Sequence, residues 1–238
     1  MRNPLLIAAS LALLCFAASD ALAQRLPSVH HRYQGSWPPG DIGQYQLQGD
    51  VRRIGYFQPV ELQVPEGATV SAAVDGAFTN PQAGSLMVGL QIGSVYRFRV
   101  TGIPLHEGAE VFPTLEIIDR LHPPEGLKWR FPIPVQLTAE ELALALDGRF
   151  VTRVIYVENP TQALPLPQDK ALQRYYELRP DSDPVEVADA LGRPVAILRI
   201  GSRVPDAAGP DAAFLYGSPP LEQFIPQEQI PPGEVIRP

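Results

Sequence analysis

Short apolar segments with strand-like composition recur about every ten to fifteen residues along the middle of the chain, separated by turns rich in glycine and proline. Pro65-Glu66-Gly67 is one such turn, because proline and glycine favour tight reversals of the backbone. Strands at this spacing are typical of an antiparallel β-sandwich or a small barrel, so we expect a mainly β fold. The predicted strands cover residues 56–64, 68–74, 85–92, 94–103, 111–119, 133–137 and 149–158.

Residues 94–103 alternate in character, as expected for a strand with one buried face. Tyr96 and Phe98 fall on one face of this strand, whereas Arg97 and Arg99 fall on the other. We therefore expect the aromatic side chains to lie in the core and treat the two arginines as candidate binding residues.

Two short helices interrupt the strands. Thr138 and Glu141 form a capping-box pattern at the start of the first helix. Asp183 is a suitable N-cap for the second helix, with Pro184 at its first position. After each helix a Gly-Arg pair leads into a strand, at residues 147–157 and again at 191–201. This recurrence leaves two interpretations open, a duplicated helix–strand unit and a chance repetition.

The two ends of the chain differ in composition from its middle. Arg2, an apolar run and the motif Ala21-Leu22-Ala23 predict a signal peptide that is cleaved before Gln24. The tail is rich in proline, and we expect it to be largely disordered, with local docking of its apolar residues. The predicted organisation is a signal peptide (1–23), a flexible lead-in (24–48), a β-sandwich-like domain (49–158), a proline-rich linker (159–170), a small α+β annex of helix and strand (171–203) that can pack on the main sheet, and the tail (204–238).

The predicted signal peptide places the mature protein outside the cytoplasm, in the periplasm, at the cell surface or in the medium. Cys15 is the only cysteine and is removed with the signal peptide, so the mature chain has no disulfide and no thiol nucleophile. No later apolar stretch reaches the length of a transmembrane helix. The net charge of −7, without a basic cluster in the sequence, argues against a nucleic-acid partner.

The sequence contains none of the familiar catalytic or cofactor motifs. No serine lies in a Gly-x-Ser-x-Gly motif, and the glycines form neither a phosphate-binding loop nor a dinucleotide fingerprint. The histidines do not have the spacing of metal ligands. We therefore predict no catalytic residues, no metal site and no cofactor, which favours a protein without enzymatic activity.

Residues 119–134, DRLHPPEGLKWRFPIP, combine four prolines with a histidine and a tryptophan. Because proline cannot donate to a strand ladder, we interpret this stretch as a stiff strap that carries the chain from one sheet to another. Leu121, Trp129 and Phe131 are expected to pin the strap to the core. His122 and Trp129, together with Arg97 and Arg99, are the candidate binding residues.

The block VFPTLEIIDRLHPPEGLKWRFPIPVQLTAEELALALDGRFVTRVIYVENP, taken with the export signal, resembles uncharacterised exported proteins of environmental bacteria. The resemblance implies a genuine folded domain and brings no known activity and no site residues.

Three functional hypotheses follow. The first is an exported, non-catalytic β-domain protein with a binding or structural role at the cell envelope, whose partner is an envelope protein or a glycan. The second is a carbohydrate-binding module that uses Trp129. The third is an envelope hydrolase whose site is assembled from His106, His122, Glu116 and Asp119, residues that are separated in the sequence.

Overall fold

The protein is described here by a computed structural model that covers residues 33–161, 163 and 173–224. The predicted signal peptide, most of the predicted linker and the end of the tail from residue 225 lie outside the described residues.

Eleven strands and three α-helices are found in the described residues. The helices are α1 (Asp41–Gly49), α2 (Ala139–Leu146) and α3 (Pro184–Leu191), and two 3₁₀ turns cover Val51–Arg53 and Lys128–Arg130. The strands are β1 (Phe57–Gln63), β2 (Thr69–Val74), β3 (Ala77–Phe78), β4 (Gln82–Ala83), β5 (Ser85–Gln91), β6 (Val95–Thr101), β7 (Thr114–Ile117), β8 (Ile133–Gln136), β9 (Val151–Glu158), β10 (Gly192–Ile200) and β11 (Leu221–Gln223). All seven strands predicted from the pattern are therefore confirmed.

The strands form two sheets. One sheet has four strands in the order β11-β5-β1-β8, and the other has the order β3-β2-β6-β7-β10-β9, with β4 also paired to β2. Antiparallel pairing dominates, although β8 runs parallel to β1. The predicted mainly β, sandwich-like architecture is thus confirmed.

The main core lies on the inward faces of both sheets. Val60 and Leu62 of β1 belong to the same buried cluster as Phe98 of β6, Leu115 of β7 and Leu198 of β10. Successive side chains of a strand point to opposite faces of its sheet, and strands such as β7 and β10 are buried on both faces. The prediction that Tyr96 and Phe98 are core residues is confirmed.

Helices α2 and α3 begin where their capping residues predict. The Thr138 hydroxyl accepts from the Glu141 amide at 3.1 Å, and the Glu141 carboxylate accepts from the Thr138 amide at 3.0 Å. Asp183 caps α3, with Pro184 at the first helical position. These caps satisfy amides that have no partner within the helix.

Helix α1 corrects the prediction of an extended lead-in through residue 48. It begins after Gly40, whose φ of 100° lies in the left-handed region and which offers no side-chain cap. Its Gly43 lies so close to Gly93 that an added Cβ would stand 2.7 Å from the Gly93 Cα. Contacts with a distant turn, rather than local capping, therefore hold this helix in place.

The strap runs between the two sheets as predicted, because β7 belongs to the larger sheet and β8 to the smaller one. Leu121 packs against the main core, and Trp129 is half-buried. Phe131, which was expected to pin the strap, is instead nearly half exposed at 47%.

The strand predicted for the annex is part of the larger sheet. Strand β10 lies between β7 and β9 and is antiparallel to both. Within the described part of the tail, Phe214 and Leu215 are buried, and β11 pairs with β5. No helix in the described residues is long and apolar enough to span a bilayer.

Candidate functional site

Asp119 lies just after β7 and is buried, with only 3% of its surface exposed. Its Oδ1 accepts from Arg53 Nε at 2.8 Å and from the Arg120 amide at 2.8 Å, and its Oδ2 accepts from Arg193 Nη1. Both carboxylate oxygens therefore have charged partners. We call Asp119 and the basic residues around it (Arg52, Arg53, Arg120, His122 and Arg193) the Asp119 cluster.

Three separate segments bring the arginines of this cluster together. The 3₁₀ turn Val51–Arg53 supplies the first pair of arginines, and Asp50 caps this turn by accepting from the Arg52 amide at 3.0 Å. Arg193 comes from the start of β10 and also donates to the Arg120 carbonyl at 2.9 Å. Because strand β10 is antiparallel to β7, the first residues of β10 lie beside the residues that follow β7.

Arg120 is held against an aromatic ring. Its guanidinium carbon lies 4.0 Å from the centre of the Tyr56 ring, within the range of a cation–π contact. Its hydrogen bonds to the carbonyls of Leu121 and Arg52 are long, at 3.4 and 3.5 Å. The planar guanidinium is thus oriented mainly by stacking.

The cluster is basic towards solvent and acidic at its base. The Arg52 side chain is 78% exposed and the Arg193 side chain 41% exposed, whereas Asp119 is almost completely covered. Among the described residues, the four arginines of the cluster face two aspartates, Asp50 and Asp119, which leaves a surplus of two positive charges. The sequence prediction of no basic cluster therefore holds only along the chain, because folding assembles one.

His122 lies at the edge of the Asp119 cluster and is exposed. Desolvation lowers the pKa of His122 below its ordinary value of 6.5, and the positive charges of Arg120 and Arg193 lower it further. The negative charge of Asp119 acts in the opposite direction and is outweighed. The imidazole is therefore mainly neutral at pH 7.

The residues proposed for a hydrolase site have other partners. Glu116 is completely buried and accepts from the Gly43 amide at 2.8 Å and from Arg199 Nη1 at 2.9 Å. Asp119 is occupied by two arginines, as described above. His106 lies in the turn between β6 and β7, where its amide donates to the Ile103 carbonyl at 3.0 Å. Both carboxylates are thus engaged in ion pairs with arginines.

Arg97, one of the candidate binding residues, is buried although it lies on the face opposite Tyr96 and Phe98. Its Nε donates to the Phe214 carbonyl at 3.0 Å and its Nη1 to the Phe112 carbonyl at 2.8 Å. Its guanidinium carbon also lies 4.4 Å from the centre of the Phe214 ring. Burial lowers the pKa of Arg97. These contacts show Arg97 holding the C-terminal segment against β6.

Arg99 and Trp129, two other candidate binding residues, lie in separate places. Arg99 is partly exposed, with its Nη1 3.9 Å from a Glu110 oxygen and its guanidinium 5.2 Å from the Phe78 ring. The Trp129 ring packs against Phe224, with ring centres 5.3 Å apart. Of the four candidates, only His122 belongs to the Asp119 cluster.

Comparison with models of protein families, with curated protein sequences and with solved structures finds no match for this chain. Within residues 33–161, 163 and 173–224, no three His, Cys, Asp or Glu side chains are grouped so that they could hold a metal ion.

The sequence identified His122 and Asp119 but missed the arginines around them. Arg53 lies 66 residues from Asp119, and Arg193 lies 74 residues from it. The local signals were the adjacent pair Arg52-Arg53 and Arg120 beside Asp119, and neither is specific by itself.

Proposed function

We propose that this protein is an exported, non-catalytic β-domain protein that acts through binding or structure at the cell envelope. The proposal of export rests on the N-terminal signal pattern and its Ala21-Leu22-Ala23 cleavage motif. The proposal of a non-catalytic role rests on the side chains that a hydrolase would need.

The occupied state of the two buried carboxylates carries the argument against catalysis. A general acid or base must reach a proton on the substrate with an available oxygen or nitrogen. Glu116 and Asp119 instead point their oxygens at arginines and backbone amides, at distances of ordinary charge-assisted hydrogen bonds. This arrangement stabilises the fold and leaves surface binding as the role that the exposed groups support best.

Export is tested by expressing the full-length chain in a bacterial host and separating cytoplasm from periplasm and medium. We expect the protein outside the cytoplasm, with a mass and N-terminal sequence that begin at Gln24. An Ala21→Lys, Ala23→Lys variant is the control, since it removes the small residues that the peptidase requires. If the protein with the unaltered sequence stays in the cytoplasm at full length, the proposal is contradicted.

A further inference from the structure

The turn that carries Arg52 also exposes two large apolar side chains. Val51 is 77% exposed and Ile54 is 63% exposed, although both lie beside the basic residues of the Asp119 cluster. Isolated apolar residues at a surface are ordinary, but apolar and arginine side chains combined on one turn are typical of protein interfaces. We call Val51, Arg52, Ile54, Arg120 and Arg193 the Arg52 surface.

The Arg52 surface is held in a fixed shape before any partner binds. The Ile54 amide donates to the Val51 carbonyl at 3.1 Å, and the Tyr56 amide donates to the Arg53 carbonyl at 3.1 Å. Arg53 ties the turn to the buried Asp119, and the Tyr56 ring orients Arg120. Because these groups are already ordered, binding at the Arg52 surface costs less conformational entropy than binding at a mobile loop would.

We propose that the Arg52 surface docks an acidic, partly apolar segment of another protein. Carboxylates of the partner pair with the guanidinium groups of Arg52, Arg120 and Arg193 through charge-assisted hydrogen bonds. Arg52 already donates from Nε and Nη2 to Asp50, so it offers its Nη1 to the partner. Apolar side chains of the same segment cover Val51 and Ile54. This inference rests on the proposed binding function and names the chemistry of the partner.

The charge balance of the molecule favours a protein segment over an anionic membrane or a polyanion. The whole chain has a net charge of −7, whereas the cluster around this surface has a surplus of only two positive charges. Segments that bind an anionic lipid surface carry clusters of about four to eight Lys or Arg residues, whereas here Asp50 and Asp119 already offset two of the four positive charges. A short acidic segment instead meets the arginines at contact distance, where the local charges dominate.

The experiment measures binding of a fluorescein-labelled peptide of alternating Glu and Leu to the mature protein by fluorescence anisotropy. The same peptide with Gln in place of Glu tests the need for charge, and vesicles of phosphatidylglycerol and phosphatidylcholine test a membrane. The Arg52→Gln, Arg120→Gln variant is compared with Arg149→Gln, Arg179→Gln, which removes two exposed arginines that are not part of the Arg52 surface.

We expect the Glu-Leu peptide to bind and the affinity of the Gln-Leu peptide to be lower by about tenfold or more. The Arg52→Gln, Arg120→Gln variant should lose about tenfold in affinity, while Arg149→Gln, Arg179→Gln binds like the parent. If the double variant has a lowered melting temperature, Arg52→Gln alone is tested instead, because among the described residues the Arg52 side chain pairs only with Asp50.

Equal binding of the peptide by both double variants would overturn the proposal, and so would a peptide that fails to bind. Vesicle binding that depends on Arg52 and Arg120 would overturn it in favour of a lipid surface. In each of these cases the export experiment stands separately, so failure of the docking site is distinguishable from failure of the proposed envelope function.

Discussion

At the scale of single residues, the buried carboxylates of Glu116 and Asp119 hold separate elements against the larger sheet. Glu116 joins helix α1 to β10 through the Gly43 amide and Arg199, and Asp119 joins the 3₁₀ turn to β10 through Arg53 and Arg193. A buried ion pair depends on both partners, because a charge left alone in the interior loses its hydration without compensation.

Replacing Glu116 by Leu should therefore lower the free energy of unfolding by about 3 kcal/mol, because it leaves the Arg199 guanidinium buried without its counter-charge. The double variant Glu116→Leu, Arg199→Leu should lose less than the single variant. Urea denaturation followed by tryptophan fluorescence measures both. A double variant that is less stable than Glu116→Leu alone would contradict this account.

His122 gives a pH-dependent test of the Asp119 cluster. The pKa of His122 is lowered, so the unfolded chain takes up the proton before the folded chain does as the pH falls. Stability should therefore decrease as the pH falls below the ordinary value of 6.5, and His122→Gln should remove that part of the dependence. NMR titration of the imidazole checks the direction. In the Arg120→Gln variant the pKa should rise, because a positive neighbour is gone.

At the scale of secondary-structure elements, local sequence rules and distant contacts contribute unequally. The caps of α2 and α3 lie within three residues of the amides that they satisfy, so the sequence predicts both helices well. The two Gly-Arg junctions nevertheless differ, because Gly148 has a φ of 81° and Gly192 a φ of 175°. The same Gly-Arg sequence thus has a left-handed glycine after α2 and an extended glycine after α3.

Helix α1 depends on a close approach of backbones, which a single methyl group should disturb. A Cβ on Gly43 would stand 2.7 Å from the Gly93 Cα and 3.2 Å from the Ile117 carbonyl oxygen. Gly43→Ala should therefore cost about 1–2 kcal/mol, although alanine favours a helix. Gly49→Ala in the same helix is the matched control, because its Cβ would meet only Arg53 Nη1 at 4.0 Å. Thermal denaturation should show a loss for Gly43→Ala alone, and equal behaviour of the two variants would exclude this packing.

At the scale of the whole molecule, the described part of the proline-rich tail connects the two sheets. Phe214 and Leu215 pack with Ala73 and Phe112 beside the larger sheet, and β11 extends the smaller sheet by pairing with β5. The Tyr96 hydroxyl donates to the Pro220 carbonyl at 2.7 Å. Burial raises the pKa of Tyr96 to about 12, so this hydroxyl stays protonated and able to donate.

Phe214→Ala should therefore lower the free energy of unfolding by about 3 kcal/mol, because the ring is buried against Phe112 and under the Arg97 guanidinium. Phe150→Ala is the control, since the Phe150 ring is mainly exposed. Chemical denaturation compares the two variants. A passive tail would give the same small change for both and would rule out the structural role described here.

The strands, two helices, their caps and the strap between the sheets follow from the sequence, because each depends on residues close together in the chain. Apolar alternation, for example, places Tyr96 and Phe98 in the core whatever lies opposite them. Export, too, is inferred from the N-terminal residues alone. The strand pattern also gives the mainly β class without any knowledge of which strands pair.

Tertiary contacts determined the rest. Helix α1 has a weak local signal and is fixed by Gly93 and Glu116. The burial of Arg97 could not be predicted, because Phe214, which it contacts, lies 117 positions further along the chain. The Asp119 cluster forms because β10 lies next to β7 and brings Arg193 to a carboxylate 74 residues away. Electrostatic attraction acts across space rather than along the chain, so only the fold can show which charges meet.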